Sequence, residues 1–195
     1  MLQSAHPPTA GTDRSGPRRP IVLVGLMGVG KSTVGRRLAG RLRLPFVDAD
    51  TAIEEAAGMT VAEIFERFGE PYFRDGERRV IARLMDGTPK VIATGGGAFI
   101  NPETRALILA ESTAIWLHAH PDVLAERVGR RDTRPLLRGR NPRQVLAELA
   151  TVRNPIYAEA HIHITSNKSP HDTTVNAILT AIGRAATQGP GSPEA

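Results

Sequence analysis

Residues 25–33 read GLMGVGKST and follow the apolar run IVLV at 21–24. The spacing is G-x-x-x-x-G-K-S, with Gly25, Gly30, Lys31 and Ser32 at its fixed positions and a further glycine at Gly28. Glycines let a backbone wrap close to phosphate oxygens and aim successive N–H groups inward. A helix that follows presents its N-terminal dipole and unpaired N–H groups to the same anion. In a loop of this kind the lysine, here Lys31, bridges the β- and γ-phosphates of a nucleotide, and the Ser32 hydroxyl ligates Mg²⁺. A chance match in a chain of this length is on the order of one in a hundred at average residue usage. The nucleotide-binding set read from the loop is Gly28, Val29, Gly30, Lys31, Ser32 and Thr33. Such a loop serves many unrelated reactions, so the phosphate acceptor has to be read elsewhere in the chain.

Working outward, short apolar runs alternate with helix-like spacing. IVLV (21–24), PFVD (45–48), VIAT (91–94), AIWLH (114–118) and HIHIT (161–165) read as strands. Segments near 31–43, 76–86, 102–110, 121–129, 142–159 and 171–185 carry helical spacing. That order predicts an α/β fold of three layers, a central five-stranded parallel sheet covered by helices on both faces. Two stretches interrupt the alternation. Residues 51–75 insert extra short helices after the second strand, and residues 128–141, centred on RRDTRPLLRGRN, form an arginine-dense segment with the look of a mobile lid. The stretch from 20 to 186 reads as a single domain, flanked by Pro-, Gly- and Ser-rich segments at 1–19 and 187–195 that are expected to be disordered.

The chain has 195 residues and no cysteine, which excludes disulfides, thiolate metal sites and a cysteine nucleophile. No apolar run approaches the ~20 residues of a membrane span, and the N-terminus has no signal-peptide apolar core. The expectation is a cytoplasmic protein without membrane partners. The net charge of +5 is carried by 22 arginines against only Lys31, Lys90 and Lys168. Eight aromatics without aromatic–basic interleaving argue against nucleic acid as partner. Arg36, Arg37, Arg41 and Arg43 read as the solvated face of the first helix.

The third strand ends in glycines, so the carboxylate that commonly accompanies such a loop is sought in VDAD. Asp48 and Asp50 stand just beyond the second strand, two residues apart, where extended backbone turns both toward the carboxyl ends of the strands. One can serve the metal through water and the other hold an acceptor hydroxyl; the plainer alternative is a pair of turn aspartates, one capping the next helix. Arg74 in YFRDGE and Arg153 in TVRNPIY each offer a planar fork suited to a carboxylate or phosphate. Gly95, Gly96 and Gly97 in TGGGAF follow a buried strand and suggest close backbone approach to something. Arg134, in the lid segment, is able to swing onto transferring phosphates while the lid excludes water. His161 and His163 alternate in HIHIT; two histidines without a third ligand make a weak metal site, and half-buried strand histidines are the simpler reading. Trp116 reads as core.

These motifs in this order resemble the shikimate kinases, small P-loop kinases related in fold to nucleoside monophosphate kinases. The resemblance runs through GLMGVGKSTVGRRLA, FVDAD, AAGMTVAEIFERFGEPYFRDGE, ATGGGAF, RPLL and RNPIY, over roughly residues 20–165. It implies ATP and Mg²⁺ as co-substrate and cofactor, shikimate as acceptor at its 3-hydroxyl, and a place on the route to chorismate and the aromatic amino acids. It implies that Asp50 binds ring hydroxyls and accepts the proton, and that Asp48 reaches Mg²⁺ through water. Arg74 and Arg153 match the pair gripping the shikimate carboxylate, with Gly95, Gly96 and Gly97 lining that pocket and Glu77 positioning Arg74. Arg134 matches the lid arginine on the nucleotide phosphates; Arg127 and Lys168 fall near places where relatives meet adenine. A monomer is implied as well. Asn154 in RNPIY, the arginine-rich lid and the N-terminal segment depart from the pattern, and none removes a residue the chemistry requires.

The mechanism so implied is in-line transfer of the γ-phosphoryl group, with Lys31, Ser32-bound Mg²⁺ and Arg134 neutralising charge and Asp50 orienting the hydroxyl. Two other readings share the phosphate loop: a kinase for gluconate or a nucleoside monophosphate, and a nucleotide-binding module without catalysis. Neither calls for the DAD, FR and GGG sets together.

Overall fold

The computed structural model describes residues 17–128, 141–166 and 170–187. Most of the expected lid with Arg134, Lys168, residues 1–16 and residues 188–195 lie outside the described residues. The sheet has five strands, all parallel: β1 (Ile21–Val24), β2 (Phe46–Asp48), β3 (Val91–Ala93), β4 (Thr113–His118) and β5 (Ile162–Thr165), in the order β2-β3-β1-β4-β5. Every residue of β1 and β3 is buried, as a central strand covered on both faces requires. The five strands stand where the apolar runs predict them, to within a residue at each end.

Seven α-helices connect or flank the strands among the described residues: α1 (Lys31–Leu42), α2 (Ala49–Ala57), α3 (Val61–Leu84), α4 (Pro102–Glu111), α5 (Pro121–Val128), α6 (Pro142–Tyr157) and α7 (His171–Thr187). The crossing from β1 to its neighbours β3 and β4 lies beside α1, so the phosphate loop sits at the point where strand order reverses, outside the carboxyl ends of the strands. All seven helices contribute buried residues to one large core around the sheet, which includes Leu23, Leu38, Ile81, Ile92, Phe99 and Ile115. Of the first-helix arginines, Arg37 pairs with Asp172 of α7 at 2.8 Å and Arg36 lies over the Phe46 ring, so this face is partly engaged with neighbours.

The insertion after β2 differs from expectation in one respect. Its second helix does not stop near residue 75 but runs on to Leu84 as α3. A capping box starts it: Thr60 Oγ1 accepts the Glu63 N–H at 3.3 Å, and the Glu63 carboxylate accepts the Thr60 N–H at 2.8 Å. Gly69, at φ 79° and ψ 174°, breaks the helical path, and Pro71 stands in the first turn beyond it, where a proline costs no hydrogen bond. A separate small core of Ile53, Ile64, Phe73 and Val80 holds α2 against α3. Among the described residues no helix is long and apolar enough to cross a membrane.

Candidate active site

The loop between β1 and α1 is built tightly. Gly25 has φ 134°, and a β-carbon there would collide with the Leu117 carbonyl of β4. Gly30 caps α1 in the left-handed region, at φ 97°, and as a glycine makes no side-chain cap bond. Lys31 is buried, its Nζ donating to the Gly25 carbonyl at 2.7 Å and the Leu26 carbonyl at 3.0 Å. Thr33 is exposed on the first turn. Val29, fully buried, turns its carbonyl outward to Ser166 Oγ at 3.2 Å and Arg127 Nη1 at 3.3 Å. His171, at the start of α7, would lie 3.4 Å from a β-carbon on Gly30, and burial together with Arg127 and Arg37 pushes its imidazole pKa down.

Ser32 and Asp48 meet directly. Ser32 Oγ donates to Asp48 Oδ2 at 2.6 Å, joining the phosphate loop to the end of β2. Asp48 Oδ1 accepts the Asp50 N–H at 3.2 Å and so caps α2. The two aspartates therefore do not share an extended strand: β2 ends at Asp48, and the exposed Asp50 belongs to the first helical turn. A carboxylate two residues before a helical turn satisfies its orphan N–H groups, and that bond outcompetes one more residue of strand.

The glycine turn after β3 is where the remaining candidates converge, each glycine against different side chains. A β-carbon on Gly95 would stand 2.8 Å from Asp50 Oδ1 and 2.9 Å from Glu77 Oε1. The Gly96 carbonyl accepts from Arg153 Nη1 at 3.2 Å and from the Tyr157 hydroxyl. A β-carbon on Gly97 would collide with the Arg74 guanidinium. Asp50 and Glu77 thus reach this turn with Arg74 from α2 and α3, while Arg153 and Tyr157 reach it from α6.

Arg74 is held by two carboxylates, Glu77 at 2.7 Å and Glu70 at 3.0 Å, and packs over the Phe73 ring. Burial works against its charge, but the two glutamates outweigh it and raise its pKa. Glu77 is buried, and its pKa is raised by burial, with Arg74 opposing and Asp50 and Glu70 adding to the rise. Its Oε1 has no hydrogen-bond partner among the described residues. Tyr157 is fully buried between Phe99 and Trp116, and burial pushes its phenol up to about 12, with Arg153 opposing.

Comparison with known proteins follows the same lines. The shikimate kinase family profile matches residues 27–183. A shikimate kinase of Caulobacter vibrioides is 60% identical over 167 residues, covering 86% of this chain and 84% of that one. The chain belongs to the shikimate kinase family. A shikimate kinase of Novosphingobium aromaticivorans is also 60% identical, over 87% of this chain and 91% of that one. Among solved structures, shikimate kinase from Acinetobacter baumannii in complex with shikimate superposes with TM-score 0.83 at 36% identity, covering 88% of this chain and 96% of that one. A gluconokinase from Sinorhizobium meliloti superposes at TM-score 0.58 with 22% identity, a likeness of fold alone. P-loop kinases of this family share the three-layer arrangement seen here.

Tyr157, Ser166 and His171 stand at the site without having been singled out from the sequence. Tyr157 had a signal: it lies four residues after Arg153, one helical turn on, so both side chains share a face of α6. The strand histidines have backbone partners. His161 Nδ1 accepts the Ala114 N–H at 3.0 Å, and His163 Nε2 lies 3.0 Å from the carbonyls of Ala158 and Ala160.

Proposed function

We propose that the chain transfers the γ-phosphoryl group of ATP to the 3-hydroxyl of shikimate. The observation that carries this reading is the glycine turn, whose three residues bring two guanidinium groups and two carboxylates around one small space. A cyclic acid with vicinal hydroxyls matches that set: Arg74 and Arg153 grip its carboxylate, and Asp50 meets its hydroxyls. Gly95, Gly96 and Gly97 line the pocket with backbone: a β-carbon on Gly95 or Gly97 would displace Asp50, Glu77 or Arg74, and one on Gly96 would stand 3.4 Å from the Met27 backbone nitrogen.

On the donor side, Gly28 to Thr33 wrap the phosphates, and Lys31 exchanges its loop carbonyls for the β- and γ-phosphate oxygens. Ser32 Oγ and the Asp48 carboxylate are hard oxygen donors 2.6 Å apart, a fit for Mg²⁺, which keeps several waters and needs few protein ligands. When bound, the ion neutralises phosphate charge. Asp50 orients the acceptor hydroxyl and takes its proton as the O–P bond forms, ADP leaving with the electrons of the broken bond. Glu77 fixes Arg74. Arg134, outside the described residues, keeps the phosphate-contacting role that the family resemblance assigns to it. Arg127, bonded to the phosphate loop and Ser166, and His171 stand on the nucleotide side. The protein acts as a cytoplasmic monomer.

The test is ADP production from MgATP with shikimate, gluconate, nucleoside monophosphates or no acceptor. Release stimulated by shikimate alone is the expected result. Stimulation by another acceptor assigns the chain to a sister activity, and ATP binding without turnover makes it a non-catalytic nucleotide binder.

A further inference from the structure

The helix α3 has two working faces. At about 100° per residue, Arg74, Glu77 and Ile81 fall on one side, toward the glycine turn and the sheet. Asp75, Gly76, Arg79 and Arg83 fall on the other, about 180° away. That second face borders a cavity of about 410 Å³ between α2 and α3, floored by the small core residues Ile53, Ile64, Phe73 and Val80. The volume is that of a small-molecule site.

Three features describe its occupant. The floor is aliphatic and aromatic, and at the rim Tyr72 is 58% exposed and stacked on the exposed Phe68 at 4.7 Å, an aromatic pair open to solvent. The rim charge is positive: Asp75 is shared between Arg78 at 2.9 Å and Arg79 at 2.5 Å, whereas Arg83 makes no ion pair among the described residues. In the middle of α3 the wall is a glycine, Gly76, whose absent β-carbon would meet nothing within 4 Å. Glycine is the poorest helix former after proline, and among the described residues no neighbouring group requires it there.

We propose that this groove is a second small-molecule site, distinct from the acceptor pocket, which takes an aromatic monocarboxylate. The ring seats on the apolar floor over Gly76, and the carboxylate faces Arg79 and Arg83.

The probe is 3-phenylpropanoate, titrated into the full chain by calorimetry and ligand-observed NMR with shikimate saturating, so that the acceptor pocket is occupied. The expected result is one site per chain that weakens by about tenfold or more in Gly76→Leu, which fills the groove, and by about tenfold in Arg83→Gln. The uncharged 3-phenylpropan-1-ol should bind about tenfold more weakly than the carboxylate. Both variants keep wild-type kcat and KM for shikimate when the probe is absent. Absence of binding, loss of binding on adding shikimate, or affinity unchanged in Arg83→Gln overturns the proposal. The arginine variant leaves the groove wall intact, so the test stands even where Gly76→Leu disturbs folding.

Discussion

Arg153 and Tyr157, one turn apart on α6, donate to the same acceptor, the carbonyl oxygen of Gly96. The shared oxygen ties the Arg153 guanidinium to a phenol buried between Phe99 and Trp116. Arg153 is thereby oriented by the core of the domain rather than by another surface group.

Tyr157→Phe should show this link in two ways. Loss of the hydroxyl removes one hydrogen bond, about 1 kcal/mol, and should raise KM for shikimate severalfold with KM for ATP unchanged. The second effect is alkaline. The phenol is raised from 10.0 to about 12 in the folded protein, so its contribution is fully present below pH 10 and lost as the pH rises to about 12. Urea midpoints should show the wild-type protein losing on the order of 2–3 kcal/mol relative to Tyr157→Phe across that window.

Alanine at two adjacent glycines should separate binding from turnover. Neither Gly95 nor Gly97 has positive φ, so alanine fits the backbone and acts only through what it pushes. Gly97→Ala pushes the Arg74 guanidinium and should raise KM for shikimate by about tenfold with a smaller change in kcat. Gly95→Ala pushes the carboxylates of Asp50 and Glu77 and should lower kcat instead. Identical effects from the two substitutions would show that the turn acts only as a spacer.

Asp50→Ala should reduce kcat by about a thousandfold with thermal stability retained, since the helix start is capped by Asp48 and not by Asp50. Near-normal turnover in this variant would remove Asp50 from the chemistry.

Ser32→Ala removes the 2.6 Å donor from Asp48 while leaving its bond to the Asp50 N–H. Half-saturation by Mg²⁺ should rise by about tenfold or more, with the fold undisturbed by circular dichroism. An unchanged Mg²⁺ requirement would exclude the Ser32 hydroxyl as a ligand.

Much of this architecture is legible in the chain because its signals are local. A four-residue apolar run before G-x-x-x-x-G-K-S can only be a buried strand feeding a helix, and β1 and α1 stand where it says. For the aspartate pair the extended geometry does not hold, whereas the alternative of a turn aspartate capping the next helix is what Asp48 does. Asp48 serves equally well as a last strand residue and as a helix cap, and only the bond to the Asp50 N–H separates the two. The continuity of α3 through residue 75 is not legible in the local pattern, because Gly69 breaks the helical path and Pro71 starts it again within three residues. Tyr157 was missed because an aromatic on a helix reads as core, which it also is. Its hydroxyl partner lies 61 residues away in sequence, on a turn whose own signal is only glycine.

The small core of Ile53, Ile64, Phe73 and Val80 makes residues 49–84 a cassette strung between two adjacent strands at one edge of the sheet and anchored to the main core by Ala49 and Ile81. On the proposed function, acceptor recognition is divided between a replaceable part, which carries Asp50, Arg74 and Glu77, and the permanent frame, which carries Arg153. A cassette of different sequence could be grafted between β2 and β3 without disturbing Lys31 or Ser32. In such a graft, Arg153 and the Gly96 carbonyl are the points at which the old frame and the new acceptor have to be matched.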